Sequence, residues 1–199
     1  MNKADLERYL EDAVFLAEAE IGPFCRLASL TARGPIVEIG AGMGSSAVLF
    51  LYNSGVLVHS IDSFEGDSEG KWVSSEERCK TNVARALQAL GKPTAIERWH
   101  LHVLPSHTMS LSWVEPIELL YLDGNHQYGF VRQDFEDWIP RVQSKGLILI
   151  HDSLRNPDAP HGQFDHGWEG PTLLAKELLA DSRVSFKEFF YSTTVWQKP

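Results

Sequence analysis

Four residues in the second half of this 199-residue chain carry groups able to move a proton or hold a metal: Asp123, His126, His151 and Asp152. Asp123 follows the mostly apolar run from Ile117 to Leu122, and His151-Asp152 follows the apolar run from Leu147 to Ile150. Carboxylates at the ends of adjacent strands can converge on a hard cation such as Mg²⁺. A neutral His151 would be a poorer Mg²⁺ ligand than a carboxylate but would suit Mn²⁺, Zn²⁺ or Fe²⁺. The set offers parts for the two devices that make a hydroxyl nucleophilic, a general base and a divalent cation that lowers the hydroxyl pKa.

A second constellation lies nearer the N-terminus. Val37-Glu38-Ile39-Gly40-Ala41-Gly42-Met43-Gly44-Ser45-Ser46 reads as a buried strand running through three glycines into a helix. Glycines let the backbone turn and let a ligand lie on bare main chain, and the free amides of a helix starting near Ser45 attract an anion. A dinucleotide fingerprint would need glycine or alanine at position 45, where serine stands. Glu38 would repel a pyrophosphate, whereas it would attract the ammonium of an amino acid. S-adenosylmethionine carries such an ammonium, a carboxylate for the helix amides, and a ribose that calls for an acid further along.

Positioning these groups requires strands that end on one edge. The pattern predicts an amphipathic helix over Ala4 to Glu20, a break at Ile21-Gly22-Pro23 and a short helix from Phe24 to Thr31. Strands follow at 36–39, 56–61, 94–103, 117–122 and 147–150, with helices at 45–52, at 74–90 opened by a Ser74/Glu77 capping box, at 106–113 and at 128–139. A helix over 172–180 and two strand-like segments, 184–190 and 193–197, finish the chain as an antiparallel hairpin. Strands alternating with helices indicate a parallel sheet covered on both faces, which binds ligands at the carboxyl ends of its strands. Asp62, Asp123 and His151-Asp152 then share that edge with the glycine loop. Polar loops at 63–72 and 153–167 flank it, and Trp72 and Trp168 could stack on a ring or apolar substrate or serve as core or cover packing.

The bulk properties bound the partners. A 43% hydrophobic content over 199 residues supports one substantial core. With 18 basic against 27 acidic residues and no basic run, neither nucleic acid nor an anionic membrane is an expected partner. No signal core or spanning run is visible, so a soluble cytoplasmic protein is expected. Cys25 and Cys79 read as buried small hydrophobes, and His100, His102, His161 and His166 as packing or solvated residues.

Strand, Glu-x-Gly-x-Gly-x-Gly, helix, a second strand ending in Asp62 and a terminal hairpin together resemble a class I S-adenosylmethionine-dependent methyltransferase, over nearly the whole chain from Gly34. More narrowly, Leu122-Asp123-Gly124-Asn125-His126-Gln127-Tyr128, then Asp134, then Gly146 to the strand end His151-Asp152, resemble a small-molecule O-methyltransferase family. The resemblance implies an α/β, Rossmann-like, doubly wound and mostly parallel seven-stranded sheet with a C-terminal antiparallel hairpin and extra N-terminal helices. It implies one methyltransferase domain over 1–199, with 1–33 a helical extension and 34–199 the core. S-adenosylmethionine would lie on Glu38, Gly40, Gly42 and Ser45, its ribose on Asp62 beside Ser63, its adenine near Ser106, and Asp123 would border it. A carboxylate can accept from two adjacent hydroxyls at once, which suits Asp62 to a ribose.

The same resemblance implies O-methylation of a small hydroxylated acceptor such as a sugar, polyketide or phenolic. His126 would take the proton and touch the acceptor together with Trp72 and Trp168, Asp123 would assist, and Asp123, His151 and Asp152 would hold Mg²⁺ or another divalent cation. Two other readings stay open: a divalent-metal hydrolase using Asp123, His126, His151 and Asp152, and a non-catalytic S-adenosylmethionine-binding protein. Glu38 and Asp62 argue against the hydrolase, since each adds negative charge where a phosphate would bind. The N-terminal helix could cover the site or form a homodimer contact.

Overall fold

The computed structural model describes residues 1–66, 74–154 and 167–199. Its central strand is β1 (Ile36–Ile39), with every side chain buried. It pairs in parallel with β2 (Val58–Ile61) on one side and β4 (Ile117–Leu122) on the other. Beyond β2 lies β3 (Trp99–His102), and beyond β4 lies β5 (Val142–Ile150), both parallel. The hairpin β6 (Ser185–Phe190) and β7 (Thr193–Gln197) closes the far edge, with β7 antiparallel to β5. The seven-stranded order is β3-β2-β1-β4-β5-β7-β6. The chain reverses its direction of travel between β1 and β4, and ligands bind at such a switch point in sheets of this kind.

Strand residues alternate between two apolar layers. Ile36, Leu119, Tyr121 and Leu149 face α1 (Lys3–Leu10), α2 (Glu18–Leu30), α3 (Ser45–Asn53) and α4 (Glu76–Ala89), where they meet Leu6, Phe24, Phe50 and Val83. Val37, Ile39, Leu120, Leu122 and Ile148 face α6 (Tyr128–Trp138) and α7 (Glu169–Leu178), where they meet Phe135, Trp138 and Leu174. The short α5 (Ser106–Ser110) leads from β3 toward α6. Burial on both faces leaves these strands mostly apolar, with Glu38 in β1 and Glu118 in β4 as exceptions.

The structure corrects several boundaries. The first helix ends at Leu10, where Glu11 adopts a left-handed φ of 52°, and α2 runs through Gly22-Pro23 without breaking. Pro23 lies near the start of α2 and removes one bond from the ladder, while Ile21, Phe24, Leu27 and Ala28 are buried along the same helix. A short 3-10 turn occupies Pro93–Arg98 where strand was expected, because Pro93 starts the turn and Arg98 is pinned to the carbonyls of Leu51 and Val56. β5 begins five residues earlier than expected, at Val142 rather than 147. Ser75, not Ser74, caps α4 by accepting from the Arg78 amide, and the Ser74 hydroxyl instead donates to the Gly42 carbonyl. Among the described residues no helix is long and apolar enough to cross a membrane.

Candidate active site

The glycine loop connects β1 to α3 at the switch point. Gly40 has φ +94°, and a Cβ there would lie 2.1 Å from the Asp123 carbonyl oxygen. Glycine is therefore what allows the ends of β1 and β4 to pass so closely, bringing the loop beside Asp123. Gly42 faces open space, and Gly44 precedes α3 with no side chain capping the helix, so the first amides of α3, including that of Ser45, are free for an anion. Asp62, at the end of β2, accepts the amides of Ala41 and Gly42 on Oδ2, both at 2.9 Å, and that of Phe64 on Oδ1 at 2.8 Å. It braces the loop as well as standing beside it. Ser63 is half-buried next to it, its hydroxyl 3.4 Å from the Glu65 amide.

Glu38 is placed beneath this loop, fully buried, with its carboxyl accepting the hydroxyls of Ser46 and Ser60. Burial pushes that carboxyl up to about 8, opposed by the two serines and reinforced by the negative charges of Asp123 and Asp62. The Ser106 hydroxyl is turned toward α6, where it accepts from the Trp138 indole at 2.8 Å and bonds Asp134. Burial raises the Asp134 carboxyl to about 6.

The second constellation assembles at the ends of β4 and β5. His151 Nδ1 lies 2.9 Å from Asp123 Oδ1 and 3.7 Å from Asp152 Oδ2, and the Tyr121 hydroxyl donates to Asp123 Oδ2 at 2.9 Å. His126 Nε2 lies 3.4 Å from Asp123 Oδ1 and 3.8 Å from Asp152 Oδ2, buried and without a hydrogen-bond partner. Burial would raise the Asp123 carboxyl, but the two histidines outweigh it and hold the group well below the usual carboxylate range. Burial would lower His151, yet Asp123, Glu20 and Asp152 keep it protonated well above the ordinary imidazole range. Asp152 itself sits at φ 50°, a left-handed conformation that aspartate tolerates better than most residues.

Trp168 belongs to the same cluster. Its amide donates to the Asp152 carbonyl at 2.8 Å, and its indole stacks on the His126 ring with centroids 5.2 Å apart and planes 13° from parallel. A cleft of about 490 Å³ opens beside it, lined by Phe15, Ala17, Glu20, Asp152, Trp168 and Tyr191 among others. Trp72, expected to face it from a second loop, lies outside the described residues, as do His161 and His166.

The ligand atoms of Asp123, His126 and His151 lie within 4.8 Å of one another, a spacing that a metal ion could bridge. The chemistry of the donors does not fit one. Both nitrogens of His151 face carboxylate oxygens, Asp123 on one side and Glu20 at 3.3 Å on the other, so each carries hydrogen and neither offers a lone pair. Both oxygens of Asp123 already accept hydrogen bonds. A hard cation would enter next to an imidazolium with few free oxygens to bind it.

Sequence reasoning missed two members of this site. Tyr121 precedes Asp123 by two residues, and the alternation of a strand could have shown that it turns toward the same layer. Glu20, placed by the pattern at the end of the first amphipathic helix, stands four residues before Phe24 and seven before Leu27, which is the spacing of the buried face of α2.

The sequence pattern of the methyltransferase domain matches residues 37–153. Residue identity elsewhere is short: 37 residues are 43% identical to the uncharacterized protein y4gI of Sinorhizobium fredii (strain NBRC 101917 / NGR234), covering 19% of this chain and 4% of that much longer protein. The fold is similar to the O-methyltransferase of Bacillus cereus in complex with SAH, with a TM-score of 0.69 at 15% identity over 98% of this chain and 91% of that one. It is similar to TomG of Streptomyces achromogenes, an O-methyltransferase involved in tomaymycin synthesis solved with SAM, with a TM-score of 0.67 at 13% identity over 98% and 87% of the two chains. It is also similar to the SAH-bound methyltransferase PaMTH1 of Podospora anserina, with a TM-score of 0.69 at 13% identity over 99% and 87%. At these identities the likeness shows the fold. Since the family pattern runs from the glycine loop to the second acid cluster, over more than half of the sequence, the chain belongs to the methyltransferase domain family.

Proposed function

We propose that this chain transfers a methyl group from S-adenosylmethionine to a hydroxyl of a small molecule, with His126 as the residue that accepts the hydroxyl proton. The observation that carries this reading is the placement of His126, its ring stacked on Trp168 beside an aromatic-edged cleft and its Nε2 facing the ionised Asp123 at 3.4 Å. When bound, S-adenosylmethionine supplies a sulfonium methyl open to in-line displacement. The solved relatives complexed with SAM or SAH support that cofactor, and so does the cradle itself, with open space beside Gly42, free amides at α3 and a carboxylate at the end of β2.

The chain's own residues position and deprotonate the acceptor. A hydroxyl placed at His126 would give its proton to the ring, and the bound cofactor would supply the methyl group and keep the electron pair of the S–C bond on sulfur. The ionised Asp123 stabilises the imidazolium so formed, and the Trp168 ring holds the imidazole plane by stacking. Holding both partners at reacting distance supplies much of the remaining rate. Glu20 and Asp152 give the cleft a negative lining, which favours a neutral or cationic acceptor over an anionic one, and its Phe15, Trp168 and Tyr191 edges suit a ring such as a phenol or sugar.

The test combines calorimetric titration with S-adenosylhomocysteine and transfer of an isotope-labelled methyl to a panel of sugars and phenols. Saturable binding is expected, weakened in Asp62→Ala. Turnover is expected to fall by about 100-fold or more in His126→Gln with S-adenosylhomocysteine affinity kept. Absence of saturable binding, or full turnover in His126→Gln, would overturn the reading.

A further inference from the structure

Glu20 reaches the acid cluster from outside the residues that the family pattern covers. It lies on α2 at 1% exposure, and an ionised carboxylate so deeply buried persists only where each oxygen is satisfied. Oε1 accepts the hydroxyls of Ser192, in the turn after β6, and of Thr193, the first residue of β7, at 2.9 and 2.7 Å. Oε2 accepts the Ala17 amide at 2.9 Å and faces His151 Nε2 at 3.3 Å. Three donors from two separate parts of the fold thus fix the orientation of this carboxylate, and its remaining lone pair is aimed at the imidazole. The other nitrogen of that ring meets Asp123 at 2.9 Å and has Asp152 at 3.7 Å. A ring 5% exposed, bracketed in this way, can neither turn nor present a lone pair.

We propose that Glu20 is a positioning residue that fixes His151 against Asp123, so that the imidazole takes the place among these acids which a divalent cation would otherwise fill. The proton-accepting His126 and the acid beside it then keep their arrangement without a metal. The consequence for turnover rests on the methyl-transfer reading, whereas the consequence for metal binding does not. The device explains why the helical extension is tied to the catalytic edge: α2 supplies the acid, the β6–β7 turn aims it, and the strand ends receive it.

The test uses the full chain. Calorimetric titration of the wild type with Mn²⁺ and Mg²⁺ is expected to show no saturable binding up to millimolar concentration, and turnover is expected to be unchanged after EDTA treatment. Glu20→Gln keeps the shape of the carboxyl and is expected to lower kcat about tenfold, the lower end of what loss of a supporting hydrogen bond costs. Its S-adenosylhomocysteine affinity is expected to stay within about twofold, a split from kcat that general unfolding would not produce. The double variant Glu20→Gln/His151→Asp replaces the internal cation by a third acid at the cluster and is expected to gain saturable Mn²⁺ binding. Saturable Mn²⁺ or Mg²⁺ binding by the wild type, loss of its turnover with EDTA, or an unchanged kcat in Glu20→Gln would each overturn the proposal. The wild-type titrations decide the metal question even if a variant fails to fold. S-adenosylhomocysteine binding in the same wild-type sample reports separately on the methyl-transfer reading.

Discussion

Gly170 lies backbone to backbone against His126: a Cβ at position 170 would fall 2.2 Å from the His126 carbonyl oxygen and 2.6 Å from the Tyr128 amide. This close approach lets the start of α7 press onto the loop after β4 and brings Trp168 into its stack on the His126 ring. Gly170→Ala must push the two segments apart. Acceptor kcat/KM is expected to fall by about tenfold or more, because small misplacements of a proton acceptor are costly. S-adenosylhomocysteine affinity should persist, since the glycine loop is elsewhere on the edge. Steady-state kinetics beside calorimetry checks the split, and equal losses in both would refute it.

Glu38 links ligand-free stability to pH. Its carboxyl is pushed up to about 8 in the folded chain, above the ordinary 4.5, so the folded state holds a proton that the unfolded chain releases between those values. Stability from this group is therefore fully present below pH 4.5 and is lost as pH rises toward 8. Glu38→Gln keeps a neutral group on Ser46 and Ser60. Its melting temperature is expected to exceed that of the wild type at pH 8 by several degrees, for a contribution on the order of a few kcal/mol, and to differ little at pH 5. Parallel melting curves in wild type and variant across that range would sink the assignment.

His59 produces the opposite slope. Its ring shares a 3.0 Å contact with His102, stacks on His100 with centroids 4.9 Å apart and abuts Trp113. Burial first, then the neighbouring His102 and His100, lower it to about 4 from the ordinary 6.5. The unfolded chain then takes up the proton that the folded chain refuses, so stability falls as pH drops from 6.5 toward 4. One such group costs about 2 kcal/mol at pH 5 relative to pH 7, which for a chain of this length is about 4–8 °C. Differential scanning calorimetry of wild type and His59→Phe at the two pH values should show a smaller acid-side drop in the variant.

The parts of the fold that were legible are those governed by local pattern. Mostly apolar runs marked β1, β4 and the end of β5, and the glycines before Ser45 marked the turn into α3, because a strand buried on both faces leaves little alternation and a tight turn demands small residues. Local pattern misled where tertiary burial overrode it. Gly22-Pro23 reads as a helix break, yet the cost of one lost bond near a helix start is small beside the burial of Ile21 and Phe24. Ser74 carried the right chemistry for a helix cap, but the Gly42 carbonyl, distant in sequence, claimed its hydroxyl.

For the site, the sequence by itself determined which acids and histidines stand at the carboxyl edge: Asp62, Asp123 and His151 directly follow a strand and His126 and Asp152 lie just beyond, and a strand end is a local property. Only the tertiary structure decided how they pair. Whether His151 serves as a metal ligand or as a fixed cation depends on what meets its second nitrogen, and that is Glu20, 131 residues away on α2. Contacts of such separation leave no periodic mark in the chain, because they are set by how helices and the terminal hairpin pack onto the sheet, and packing is decided by the summed burial of both layers.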